Sequence, residues 1–235
     1  MTCDRSKITL MKYCIRLPLF VLLVGLSTTG ALAQKGAHDS SRWEKDIAKF
    51  EAEDKANAPP KGALLFIGSS TIVRWKTLAQ DYPEHKVINR GFGGSQIADS
   101  VNFAERIIIP YAPRAVFLRA GGNDLNAGKS VAQVFDDYKA FVAKIQAKLP
   151  ETDIFFIGLS PSIKRWVQAD KEKELNTLVQ NFIAGKPHLK YIDTYDMVLG
   201  ADGKPRKELF VEDELHFNAE GNKLLAERVR PHLPK

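Results

Sequence analysis

The sequence predicts an α/β protein with three layers, α/β/α, built around a parallel sheet of about five strands. Two observations lead there. Short apolar runs recur along the chain, each closed by glycine or a polar turn, and amphipathic segments of helical spacing lie between them. Strands that alternate with helices pair in parallel, and the crossover helices then cover both faces of the sheet. The 235 residues suffice for one domain with a sizeable core.

A charged helix is expected over Trp43–Lys55, closed by the turn-rich "NAPPKG". The first strand is read at Ala63–Gly68, where Leu64, Leu65, Phe66 and Ile67 are continuously apolar, as burial on both faces of a parallel sheet requires. It stops abruptly on Gly68-Ser69-Ser70-Thr71, after which Ile72, Val73 and Leu78 mark one face of a helix. Further strands are read at Lys86–Asn89, Ala115–Ala120, Asp153–Gly158 and Lys190–Asp193. The clearest helix spans Val131–Leu149, with Val134, Tyr138, Phe141, Val142 and Ile145 on one face, Ser130 as cap and Pro150 as stop. Leu175, Leu178, Val179, Phe182 and Ile183 repeat that pattern before Gly185, and Asn218–Val229 forms the closing helix.

Residues 1–33 read as a secretory signal peptide. Lys12 and Arg16 precede the apolar "LPLFVLLVGL", and Ala31–Ala33 supplies the small-x-small pattern of a cleavage site. The expected mature chain starts at Gln34, with Met11 as an alternative initiator. It holds an N-terminal helix and linker over residues 34–60 and the main domain over residues 61–235. An uncleaved anchor is the weaker reading because the apolar run is short for a bilayer span, so no stable membrane insertion is expected after cleavage. The expected location is exported, periplasmic or secreted. Cys3 and Cys14 both fall in the leader, which leaves the mature chain without a disulfide, a thiol nucleophile or a thiolate metal site. The formal charge of +6 includes a net +3 from the leader. No basic run interleaved with aromatics remains, so nucleic acid is not an expected partner.

Open parallel sheets place their sites at the carboxyl ends of the strands. Those ends read "GSS", "NRGFGGS", "RAGGND" and "GLSPS". Ser70 stands where the first strand hands over to a helix, a good address for a nucleophile and also an ordinary cap. Among five histidines, His216 stands out in "DELHFN", three residues after Asp213. A carboxylate one turn back can accept from Nδ1 and leave Nε2 free to take a serine proton. Gly91, Gly93 and Gly94 permit a tight turn that presents a backbone amide, and Asn123 offers a side-chain NH₂. Each feature alone is weak: an isolated Asp-x-x-His is more often a capped turn, and Asn-Asp beside glycine is more often a turn as well. Ser160 is a rival serine, but Pro161 removes the amide that the next residue would contribute to an oxyanion hole, so Ser160 is read as pocket wall. Arg165 and Trp166 are candidate substrate contacts, equally readable as surface loop. Arg119 is either a buried, ion-paired structural residue or part of the site lining.

In combination and in this order, the blocks resemble the SGNH hydrolases, also called the GDSL family of esterases and lipases, from about Leu64 to Pro231. The family's markers map onto Ser70, Gly94, Asn123 and His216, with Asp213 in the place of the triad acid. The resemblance implies a flavodoxin-like fold and ester hydrolysis with no metal and no organic cofactor. It also implies catalysis by Ser70, His216 and Asp213, with an oxyanion hole made by the Ser70 and Gly94 amides and the Asn123 side chain. Ser69 departs from the pattern, since the family usually has Asp before the nucleophile. The expected substrate is a small-molecule or glycan ester with a short acyl group, acetyl first, because no insertion long enough for a lipid-binding lid is evident. Rival functions are acyl transfer to an alcohol, lysophospholipase or thioesterase-type lipolysis, a silent carbohydrate-binding module, and a nucleotide binder. The last leaves "DELHF" unexplained and lacks a phosphate-loop spacing.

Overall fold

The computed structural model describes residues 38–234. The leader read over residues 1–33, with Met11, Gln34 and both cysteines, lies outside them. Five strands, β1 (Leu64–Gly68), β2 (Val87–Gly91), β3 (Ala115–Arg119), β4 (Asp153–Ile157) and β5 (Leu189–Ile192), pair in parallel in the order β2-β1-β3-β4-β5. That is the flavodoxin-like order. The winding reverses between β1 and β3, and there the crossovers diverge and leave a crevice at the strands' carboxyl ends.

The helices are α1 (Glu44–Ala56), α2 (Ser70–Arg74), α3 (Leu78–Asp81), α4 (Ile97–Ile107), α5 (Gly122–Asn126), α6 (Val131–Gln146), α7 (Ala169–Ile183) and α8 (Ala219–Val229). Strand pleating divides the core into two layers. Leu65, Ile67, Val116, Leu118, Ile154 and Phe156 pack with Ile47 of α1, Ile97 of α4, Val134 of α6 and Leu175 of α7. Leu64, Phe66, Phe117, Phe155 and Ile157 pack with Ile72 of α2, Leu78 of α3 and Leu225 of α8. Phe66, Phe117 and Phe155 stack across three strands at centroid distances of 4.5 and 4.4 Å. Offset ring pairs of this kind add about 0.5–1.5 kcal/mol each beyond the area they bury.

Most elements fall within a few residues of the sequence reading, with two corrections. β2 runs two residues past Asn89 because Gly91 pairs with Gly68, and because α2 packs directly on Gly91, where a Cβ would stand 2.5 Å from the Val73 nitrogen. The single helix expected after β1 is two short ones. The chain leaves helical geometry at Trp75 (ψ 72°), whose buried indole donates to the Asp81 carboxylate at 2.6 Å. α6 has the expected Ser130 cap, with a reciprocal Gln133 side chain, and ends at Gln146, before Leu149. α1 is fastened to the first layer by the Arg106–Glu51 pair at 2.7 Å and by Arg90–Asp54, so residues 38–43 reach the β2–α4 loop. Among the described residues, no helix is long and apolar enough to cross a membrane.

Candidate active site

β1 is an interior strand buried along its whole length, and its end opens at the switch point between β1 and β3. Gly68 there has φ +144°, and the amide of the next residue, Ser69, donates to the Arg119 carbonyl of β3 at 3.2 Å. The Ser69 carbonyl accepts from the Ile72 and Val73 amides at 3.0 and 3.2 Å, which starts α2 and makes Ser70 its first residue. Asn89 of β2 secures this corner: its Nδ2 donates to the Ile72 carbonyl at 2.7 Å and its Oδ1 accepts from the Gly91 amide at 2.9 Å.

His216 arrives from the loop before α8. The Val211 amide donates to the His216 carbonyl at 2.9 Å, Phe210 and Phe217 bridge in antiparallel fashion, and Asn218 caps α8 while donating to the Glu208 carbonyl. Asp213 Oδ1 accepts from the Leu215 and His216 amides, both at 2.9 Å, and Oδ2 accepts from His216 Nδ1 at 2.6 Å. The His216 side chain is the main cause, with those amides, that holds the Asp213 carboxyl far below the usual carboxylate range. With Nδ1 donating to the carboxylate, Nε2 presents its lone pair to Ser70 Oγ at 2.9 Å, across 146 residues of sequence.

Two segments complete the crevice. In the β2–α4 loop, Gly94 has φ +81° and its Cβ position lies 3.3 Å from the Trp43 ring. Arg42 donates to the Gly94 carbonyl at 3.1 Å. Among the described residues, neither the Ser70 nor the Gly94 amide has a hydrogen-bond acceptor. After β3, in the first turn of α5, Asn123 Nδ2 donates to the Ser95 carbonyl at 3.0 Å, and Asn123 Oδ1 accepts from Arg165 Nη1 at 2.9 Å. The buried Asp124 carboxylate of α5 accepts from the Ile97 amide at the start of α4 at 3.2 Å, which ties the two segments together a second time.

Ser70, Gly94, Asn123, His216, Ser160 and Arg165 all line one cavity of about 430 Å³. Asp213 stands behind His216, and Trp166, 40% exposed, is not among the lining residues. Arg119 is buried and also lines the cavity, but with no carboxylate in ion-pair range among the described residues. It donates to the Gly158 carbonyl, to Thr194 Oγ1 at 3.1 Å and to Ser160 Oγ at 2.7 Å, and burial pulls its guanidinium down to about 10. Sequence reasoning missed Glu172. This residue of α7 is 5% exposed, accepts from Gln168 Nε2 at 2.7 Å, and leaves its buried Oε2 without a partner. Burial raises its carboxyl to about 7 against the opposing effect of Gln168, Arg119 and Arg165. Its signal in the sequence was position: Glu172, Leu175 and Val179 share one helical face, and a carboxylate on an apolar face marks a buried charge. Among the described residues, no group of three or more His, Cys, Asp or Glu is placed to hold a metal ion.

Fold and crevice together are those of an α/β ester hydrolase with its site at the switch point. The chain belongs to the GDSL-like lipase/acylhydrolase family, whose model matches residues 56–224. It is 26% identical over 170 residues to the human platelet-activating factor acetylhydrolase IB subunit alpha1, covering 69% of this chain and 70% of that protein. Two solved structures share the fold. One, from Streptococcus pneumonia and provisionally named a platelet activating factor, superposes with TM-score 0.73 at 19% identity, over 82% of this chain and 94% of that one. A GDSL-like lipase from Bacteroides thetaiotaomicron superposes with TM-score 0.67 at 15% identity, over 80% and 96%.

Proposed function

We propose that this ester hydrolase is an exported serine esterase that removes short acyl groups, acetyl first, using Ser70 as nucleophile, His216 as base and Asp213 as its orienter. The unbroken run of hydrogen bonds from Asp213 through His216 to Ser70, at 2.6 and 2.9 Å, carries the reading. Ser70 Oγ attacks the acyl carbon while His216 Nε2 takes its proton, and the carbonyl electron pair becomes an oxyanion. The Ser70 and Gly94 amides and the second Nδ2 hydrogen of Asn123 donate to that oxygen. Collapse of the intermediate breaks the ester C–O bond, and His216 returns its proton to the departing alkoxide. Water then attacks the acyl-serine with His216 again as base, which releases the acid and restores Ser70.

Support for a short acyl group comes from a cavity whose wall carries Arg119, Ser160, Arg165 and Glu172, polar side chains that a long alkyl chain would desolvate without replacing their hydrogen bonds. An acetylhydrolase among the relatives points the same way. Export is supported by the charged, apolar and small-x-small pattern over residues 1–33. The test is a screen of purified protein beginning at Gln34 against nitrophenyl esters of increasing chain length and acetylated sugars. Activity that peaks at acetyl or propionyl is expected. A maximum at eight or more carbons would replace this reading with a lipolytic one.

A further inference from the structure

We infer that Arg165 is a positioning residue that sets the orientation of the Asn123 carboxamide, so that Nδ2 rather than Oδ1 faces the forming oxyanion. The inference rests on the reading of Asn123 as an oxyanion donor. A carboxamide's two ends have nearly the same shape and opposite hydrogen-bonding sense, and half a turn about its last torsion exchanges them. Exchanged, Asn123 would present an oxygen to a developing negative charge. Oriented by its neighbours, it presents an N–H.

Two contacts on opposite sides remove the ambiguity. Arg165 Nη1 donates to Oδ1 at 2.9 Å, and a guanidinium has donors only. Nδ2 donates to the Ser95 carbonyl at 3.0 Å, which only accepts. Reversal would set NH₂ against a cation and oxygen against oxygen. The Ser95 bond uses one of the two Nδ2 hydrogens and leaves the other for the substrate. A positive charge hydrogen-bonded to Oδ1 also draws electron density from the nitrogen, which makes that remaining N–H a better donor.

Arg165 is itself held between the histidine loop and α5. Its backbone amide donates to Ser162 Oγ at 3.3 Å, the Lys164 amide donates to the Glu214 carbonyl of the histidine loop at 3.0 Å, and Gln168 Nε2 donates to the Gly122 carbonyl beside Asn123 at 3.2 Å. The segment before α7 thus touches the loop that carries His216 and the short helix α5 that carries Asn123. Direct contact with the substrate is the competing role, since Arg165 also lines the cavity.

A double-mutant cycle separates the two. Steady-state kinetics on nitrophenyl acetate and melting temperatures are measured for Arg165→Ala, Arg165→Lys, Asn123→Ala and the Arg165→Ala/Asn123→Ala pair. Asn123→Ala is expected to lower kcat on the order of 10²-fold with KM little changed. Arg165→Ala is expected to lower kcat roughly 10-fold, again with KM little changed, and Arg165→Lys to recover part of it, because an ammonium donates to Oδ1 from a single point rather than a planar fork. In the Asn123→Ala background, Arg165→Ala should cost less than about twofold, since nothing is left to orient. An equal penalty in both backgrounds, or an effect confined to KM, would make Arg165 a substrate contact and overturn the inference while leaving Asn123 in place. A near-normal kcat for Asn123→Ala would remove the oxyanion reading and the inference with it. If Arg165→Ala melts early, Arg165→Lys carries the comparison, and full activity with lysine at normal melting temperature also counts against an orienting guanidinium.

Discussion

Gly68 and Arg119 face each other across β1 and β3 so closely that a Cβ on Gly68 would stand 2.0 Å from the Arg119 carbonyl oxygen. Two demands meet at this glycine. The positive φ of +144° suits no side chain, and the neighbouring backbone leaves no room for one. Ser69 and Ser70 leave the sheet from this point, so the proposed nucleophile inherits its position from that contact. Gly68→Ala is expected to cost more than about 2 kcal/mol and to lower kcat even in the fraction that folds. Urea unfolding beside active-site titration measures both, and wild-type stability would show that the strand end yields easily.

Ser70 should be the residue modified by a fluorophosphonate, because among the three cavity serines considered only Ser70 Oγ is hydrogen-bonded to a histidine. Ser160 Oγ already accepts from the buried Arg119 at 2.7 Å. Ser70→Ala should abolish labelling and lower activity by at least about 10³-fold, with the melting temperature close to wild type. An adduct mapped to Ser69 or Ser160 would move the nucleophile.

Asp213→Asn keeps an oxygen for the Leu215 and His216 amides but sets an NH₂ against His216 Nδ1. The imidazole must then carry its proton on Nε2, where it cannot accept from Ser70. We expect kcat to fall by roughly 10³- to 10⁴-fold without unfolding. The His216 contact holds Asp213 far below the usual carboxylate range, so Asp213 stays ionised through mildly acid pH, and any loss of wild-type activity there should follow the slope of one proton. A two-proton slope would bring a second group into the rate.

Glu172 makes stability depend on pH in the unusual direction for a carboxylate. Its folded value of about 7 lies above its ordinary 4.5, so between those values the folded chain holds a proton that the unfolded chain has lost. Its contribution is therefore complete below about 4.5 and is lost as pH rises through about 7, a change on the order of 3 kcal/mol. Glu172→Gln keeps the shape without the charge and should flatten this slope, with a higher melting temperature than wild type at pH 8. Parallel melting curves for the two proteins from pH 5 to pH 8 would refute the burial argument.

Much of this protein was legible one element at a time. Leu64–Ile67 read as a strand because a run buried on both faces needs no alternation, and Ala115–Leu118 and Ile154–Ile157 repeat it; with two shorter apolar runs and helical patterns between them, they fix a parallel α/β sheet. Ser70, Asn123 and His216 could be singled out because each sits where a periodic pattern breaks, and a break is a local signal. Asp213 was legible for the same reason, three residues from its partner on one turn. What lay beyond the sequence depends on distances between segments far apart in the chain. The 2.9 Å separation of Ser70 and His216 spans 146 residues, and the Arg165 contact to Asn123 spans 42. Periodicity reports which face of an element is apolar, not which polar groups meet when the faces close. Arg165 therefore read equally well as a surface loop residue, and Glu172 was passed over although it shares a helical face with Leu175 and Val179. Only packing α7 against the end of β3 decides that the carboxylate is buried beside two arginines, and that one of those arginines points its donors at an amide oxygen.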